Sequence, residues 1–429
     1  MSKTGEAPLP GQLRPPSPAE LSNKGGASPT TGWSASQKKP TNRLASIDAY
    51  RGFVMLLMMA EVLQVGRVAQ AFPQSVFWQF LARHTDHAEW VGCTLHDLIQ
   101  PSFSFLVGVA LPFSIVSRRD RGQTTWTMTG HAVWRSFVLV FLGIFLRSAG
   151  PRAHLNFTFE DTLTQIGLGY SFLFLLGLRS VRMQWAAVGL ILAGYWAAWA
   201  IYPLPAADFD YAKVGVSADW PYEAKGFAAH WNKNCNLGAA FDQWFLNLFP
   251  REKIFIANGG GYLTLSFIPT LGTMILGLIA GGWLRSELTI KQKLQRLATA
   301  GAMCLAFGLA LDRLGLCPIV KRIWTPSWTL YSGGWCFLLL GGFYSLVDVC
   351  GWRRWAFPFI VIGLNSIAIY CLTHWIEGFI FNSLRTCFGH GWPKMFGDTF
   401  EPLTSGAAVL LGLWLILYWM YRRKLFLRI

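Results

Sequence analysis

Apolar residues in this chain come in long blocks rather than in alternation. From Arg43 onward, runs of roughly 18 to 22 residues recur, each long enough to cross a bilayer as a helix. About ten of them centre near Met55, Val107, Val140, Leu173, Ile191, Met274, Ala306, Leu338, Ile369 and Leu413. A soluble bundle would need polar faces at helical spacing, and these runs carry almost none. The pattern predicts an all-α polytopic membrane protein with about ten transmembrane helices. Two segments interrupt it. Residues 1–42, rich in Pro, Gly, Ser and Lys, have neither an apolar block nor periodicity. They read as a disordered cytoplasmic tail rather than a signal peptide, leaving 43–429 as the membrane domain. A polar insertion, residues 203–261, reads as one long extracytoplasmic loop, and a connection of that length is usually functional or disordered.

Composition agrees: 53% of residues are hydrophobic and 14% charged. A net charge of +15 would suggest nucleic acid in a soluble protein. Here the placement of the charges explains it without nucleic acid. With the N-terminus in the cytoplasm, Arg118–Arg121, Arg179–Arg182, Lys291–Arg296, Arg353–Arg354 and Arg422–Lys424 fall on one side, the positive-inside pattern. Both termini are then cytoplasmic, the expected location is the inner (cytoplasmic) membrane, and the segment His84–His96 faces outward. Eight cysteines are scattered without CxxC pairs; Cys235, Cys317 and Cys387 face outward, so a disulfide is allowed but not specified.

Ionisable residues at the mouth of a membrane span are costly and usually mark function. The densest group is RHTDHAEWVGCTLHDL, which holds His84, Asp86, His87, Glu89, Cys93, His96 and Asp97 directly before an apolar run. Three readings stand for it. Zinc would use His84, His87, Cys93 and His96, but no His-x3-His or CxxC spacing supports it, and no metal is expected. A solvated loop without chemistry is the second. The third is acid–base or nucleophilic catalysis by one histidine, its tautomer set by a nearby carboxylate. Upstream, Asp48 and Arg51 are three apart and share a helix face, as a structural pair or a donor-side site. Glu61 ends the same span, near outer water. In the long insertion, Trp220, Tyr222, Trp231 and Trp244 are of the kind that stack on sugar rings or anchor at an interface.

The motifs RLASIDAYRG, HAEWVGCTLHDLIQPSFSFLVG, EDTLTQIGLGY, YLTLSFIPTLGTMILGLIAG, PIVKRIWTPSWTLYSGG and GLNSIAIY follow one another here. In this order the chain resembles the heparan-α-glucosaminide N-acetyltransferase family of membrane acyltransferases, bacterial members included. The resemblance runs from Arg43 to the C-terminus and takes in NCNLGAAFDQWF of the insertion. It implies transfer of acetyl from cytosolic acetyl-CoA, as co-substrate, to an amino sugar or glycan terminus across the bilayer. It implies His87 as the active histidine, base or transient acetyl carrier, with Asp97 and Asn365 in support. Trp90, Lys321 and Trp324 are then expected on the acceptor side, membrane lipid around the bundle, and a homodimer is allowed. Two positions depart from the family's pattern. Relatives often read L-Q-R-I/L-G where this chain has Leu163-Thr164-Gln165-Ile166-Gly167, without the arginine, and Val320 replaces an asparagine before Lys321; these bear on donor and acceptor binding. A transporter of a sugar or anion, and a non-catalytic family member, are the rival readings.

Overall fold

A computed structural model describes residues 44–149, 155–206 and 208–427. The tail expected at 1–42 lies outside the described residues. Within them the chain forms α1 (Ala45–Met59), α2 (Val65–Ala71), α3 (Val76–His84), α4 (Ile99–Arg119), α5 (Thr125–Arg147), α6 (Thr162–Gly177), α7 (Val181–Ile201) and α8 (Leu237–Leu246). Then follow α9 (Phe267–Arg285), α10 (Ile290–Arg313), α11 (Pro326–Phe343), α12 (Arg353–Gly363), α13 (Ser366–Trp375), α14 (Glu377–Phe388) and α15 (Glu401–Arg422). The described residues form no strand ladder, only an isolated bridge between Val91 and Val320. The all-α polytopic fold is as the apolar blocks predict.

Each of the ten expected runs is helical, but they are not ten equal spans. Seven helices, α4, α5, α7, α9, α10, α11 and α15, are long and apolar enough to cross a membrane, or nine spans if the bent pairs α1–α2 and α12–α13 each count as one. The run around Leu173 is α6, whose 16 residues make about 24 Å of helix, short of a bilayer core. The α1–α2 pair bends by 48° at Gln64, which sits in the left-handed region at φ 46°. The α12–α13 pair bends by 62°, with Pro358 inside α12 and Asn365 at the break.

Burial follows from small residues where helices touch. A Cβ on Gly277 of α9 would collide with the backbone of Phe105 in α4, and one on Gly108 with the backbone of Met274. These two helices therefore approach backbone to backbone, the small-residue packing that membrane helices favour. Phe105, Leu106, Val109, Met274, Ile279 and Phe337 form the centre of the core. By contrast Trp134, Phe137, Phe141 and Phe145 make a stacked, exposed stripe along α5. A stripe of that kind on an apolar helix suits lipid better than water. At the start of α1, the Asp348 carboxylate accepts from the backbone N–H of Ala45 and Ser46, both at 3.1 Å, satisfying donors that an N-terminus leaves open. The other end of α1, the loop before α4 and the loop after α10 meet at one place.

Candidate functional site

His87 lies in the loop between α3 and α4, and the loop is tied down by Asp97. The Asp97 side chain is fully buried and accepts from the N–H of Ala88 (3.1 Å), the N–H of Thr94 (3.0 Å) and the hydroxyl of Thr94 (3.1 Å). Its other oxygen, Oδ1, lies 2.9 Å from His87 Nδ1. Lys321 reaches the same pair from across the fold, its Nζ 3.2 Å from Asp97 Oδ1 and 2.9 Å from His87 Nδ1. The Val91–Val320 bridge and the Gly92 N–H to Ile319 carbonyl bond (3.0 Å) hold the two loops in register for this contact.

Nδ1 can serve only one of these partners: with its proton donated to Asp97, Nε2 keeps the lone pair, and Lys321 bonds Asp97 Oδ1 and only abuts the ring. Lys321 supplies the positive charge that a buried carboxylate needs. Burial, helped by the Lys321 charge, holds the His87 pKa below the ordinary histidine value against the pull of Asp97. Burial likewise lowers Lys321, with Asp97 opposing. Cys93, the other nucleophile in the loop, is driven far up by burial and stays a thiol. Of the loop residues 84–97, His87 is the one that lines the neighbouring cavity.

The ring borders a cavity of about 640 Å³, within the size range of ligand sites. Its wall mixes apolar side chains, Met55, Met59 and Phe103, with Glu61, Arg147, Glu160, Asn258, Tyr262 and Lys321. Asn258 and Tyr262 show that the end of the long insertion helps to enclose it. Glu61 accepts from, or shares a proton with, His96 Nε2 at 2.8 Å, and the His96 ring centre stands 4.5 Å from that of His87. Glu61, His87 and His96 each place a donor atom within 4.8 Å of the others, a spacing a metal ion could bridge. Against that use, the Glu61–His96 bond already occupies two of the atoms and the Lys321 amine sits beside the third residue.

Other expected residues lie elsewhere. Asp48 and Arg51 do pair, at 3.8 Å, at the opposite end of α1 from Glu61. Asn365 does not come to His87: its amide donates to the Leu425 carbonyl (3.1 Å) and accepts from the Leu427 N–H (3.1 Å), which ties the helix break to the end of α15. Trp90 is 3% exposed and packs edge-on to Trp220, behind the loop rather than in the cavity wall. Trp324 is buried, with its indole N–H to Thr273, and holds φ 49° to turn the Lys321 loop. Trp231 has one face stacked on Trp199 at 5.1 Å and is 1% exposed, so it offers no sugar platform; Trp244 is exposed on α8, outside the cavity wall. Gln165 is buried and donates to the carbonyls of Phe159, Leu263 and Thr264, while Val320 packs into the aromatic cluster around Trp90. Both departures thus stand in the frame and not in the cavity wall. All eight cysteines are free. Arg147, Glu160 and Tyr262 were not singled out from sequence; the carboxylate pair Glu160–Asp161 immediately before an apolar run was the signal available for one of them.

The fold and the site together define a polytopic helical membrane protein with a histidine–aspartate–lysine group at an inter-helix cavity. No protein-family model matches the chain. It is similar to heparan-alpha-glucosaminide N-acetyltransferase of Homo sapiens, 26% identical over 452 aligned residues that cover 94% of this chain and 62% of the relative. The enzyme of the same name from Mus musculus is 25% identical over 433 residues, covering 92% and 61%. These similarities support membership of the heparan-α-glucosaminide N-acetyltransferase family. The chain spans about three fifths of the length of the relatives it matches.

Proposed function

We propose that this protein is a transmembrane acetyltransferase that moves acetyl from acetyl-CoA to an amino sugar or the amino-sugar terminus of a glycan. The observation that carries the reading is His87, its Nδ1 beside an Asp97 carboxylate that Lys321 also bonds, at the wall of the cavity. With Nδ1 protonated, Nε2 serves as general base toward the acceptor or takes the acetyl group itself. Asp97 fixes the tautomer and offsets the positive charge that forms on the ring, and Lys321 keeps that carboxylate ionised. The polar wall, with Glu160, Asn258 and Tyr262, suits a hydroxyl-rich acceptor. The names of the two relatives favour the amino group as its reactive end.

In this reading the donor enters from the cytosol. CoA is large and anionic, and the basic clusters at Arg118–Arg121, Lys291–Arg296 and Arg353–Arg354 would hold its phosphates while the slim pantetheine arm delivers the thioester to His87. The chain then lies in the inner membrane with both ends cytoplasmic and the cavity mouth at His87 facing out. The test is CoA release by purified protein given acetyl-CoA and glucosamine. Release should need both substrates and fall by about 10²-fold or more in His87→Ala. A transporter or scaffold would release none, and a His87→Ala variant with near-normal turnover would remove the site assignment.

A further inference from the structure

We infer that Glu61, held in place by His96, is the group that takes the proton from the incoming acceptor, a task separate from that of His87. This rests on the acetyl-transfer reading above. An amine reaches a neutral-pH site largely as an ammonium ion and has no lone pair to attack with until it loses a proton. If His87 carries the acetyl group, or faces the thioester as its base, a second acceptor of protons is needed on the cavity wall.

Glu61 meets the requirements. It sits in the helical turn Ala60–Leu63 that extends α1, so it enters the cavity from a different element than His87. Its side chain is 61% exposed, and His96 Nε2 engages only Oε1. Oε2 has no partner among the described residues and is free to accept. Among the described residues no lysine or arginine is paired with it; its partner is an imidazole, which can donate to the carboxylate without neutralising it. His96 is 3% exposed and its ring lies 4.5 Å from that of His87 at a tilt of 55°, so its bond to Glu61 holds the carboxylate beside the His87 ring. His96 is a positioning residue; Glu61 is the one that touches substrate.

The step balances as follows. R–NH₃⁺ gives one proton to Glu61 Oε2, and the freed lone pair forms a C–N bond to the acetyl carbonyl carbon. The bond from that carbon to its leaving atom, the thioester sulfur or His87 Nε2, breaks with its electron pair on the leaving atom. The surplus proton on the new amide nitrogen passes to that atom, and Glu61 releases its own to water in the cavity. The net products are the N-acetyl sugar, CoA thiol and one proton. Where His87 has first taken the acetyl group, CoA left in that earlier step as thiolate, and the proton that arrives on Nε2 passes on to it to make the thiol.

The experiment compares full-length wild type, Glu61→Gln and His96→Asn in detergent, with acetyl-CoA and glucosamine between about pH 6 and 8. Glu61→Gln keeps a carbonyl for His96 and changes an exposed group, so it leaves the fold intact. Wild type should show kcat/KM for glucosamine nearly flat below the acceptor's own pKa, since the enzyme deprotonates what it binds. Glu61→Gln should be about 10²-fold slower at neutral pH and rise about tenfold per pH unit, because only free amine then reacts. His96→Asn should show a milder form of the same slope. A Glu61→Gln enzyme within a few-fold of wild type, or slower with an unchanged pH slope, overturns the inference while the transfer reading stands. Loss of wild-type turnover on chelation, restored by zinc, assigns the three residues to a metal and overturns it too. A wild type that transfers nothing brings down the underlying reading itself.

Discussion

At the scale of single residues, the site is an arrangement of charges out of water. Asp97 is buried among backbone and hydroxyl donors, and Lys321 is almost as buried against it. Removing one partner of such a pair leaves the other uncompensated, which costs about 3–5 kcal/mol in general. His87 lies at the edge of this group, and its lowered pKa has a direct consequence for rate. In the proposed transfer the neutral imidazole is the reactive form, so activity is expected above the His87 pKa and lost as pH falls through it. Because burial has lowered that pKa, the acid limb of kcat/KM for acetyl-CoA should fall below about pH 6.5, the ordinary histidine value. A midpoint at or above that value would mean that the ring is not held as described.

At the scale of elements, the bundle depends on places where a side chain is missing. The sharpest is the α4–α9 contact at Gly277, where even a methyl group meets the Phe105 backbone. Backbone cannot yield as a flexible side chain can, so Gly277→Ala should cost about 1–3 kcal/mol. Gly282, one turn further along α9, has open space at its Cβ, and Gly282→Ala should stay within about 0.5 kcal/mol of wild type. Thermal melts of the two variants in detergent check the pair; equal melting temperatures would remove the close contact. Glu61 lies in the turn Ala60–Leu63 that continues α1, ahead of the bend at Gln64, so α1 itself carries it to His96. The α12–α13 break is held by Asn365 through the end of α15, an architectural use for an amide whose motif suggested catalysis.

At the scale of the whole molecule, function turns on which side of the membrane the cavity opens to. In the proposed topology His87 faces outward, and this is checked with Asp86→Cys in a background lacking the exposed Cys350 and Cys387. Asp86 is exposed next to His87, so a membrane-impermeant thiol reagent should label it only from outside. Labelling only from the cytoplasmic face would invert the scheme. Much of this was legible beforehand. Hydropathy dictates the helices because an unpaired backbone in lipid is so costly, and the His87-to-Asp97 segment announced itself as ionisable residues crowded at a span's edge. The Asp48–Arg51 pair was readable because helical spacing is local. What no local pattern could reveal was distant pairing. Lys321 meets His87 across 234 positions, Asp348 caps α1 from 303 positions away, and His96 meets Glu61 across 35. The same holds for the tryptophans, which look alike in sequence and differ only in whether a neighbour covers their faces. The sequence by itself therefore determined the class of fold and the histidine at its mouth, since both follow from solvation along the chain. Tertiary structure alone decided which charges neutralise one another around that histidine, because those contacts join segments whose meeting depends on how every helix packs.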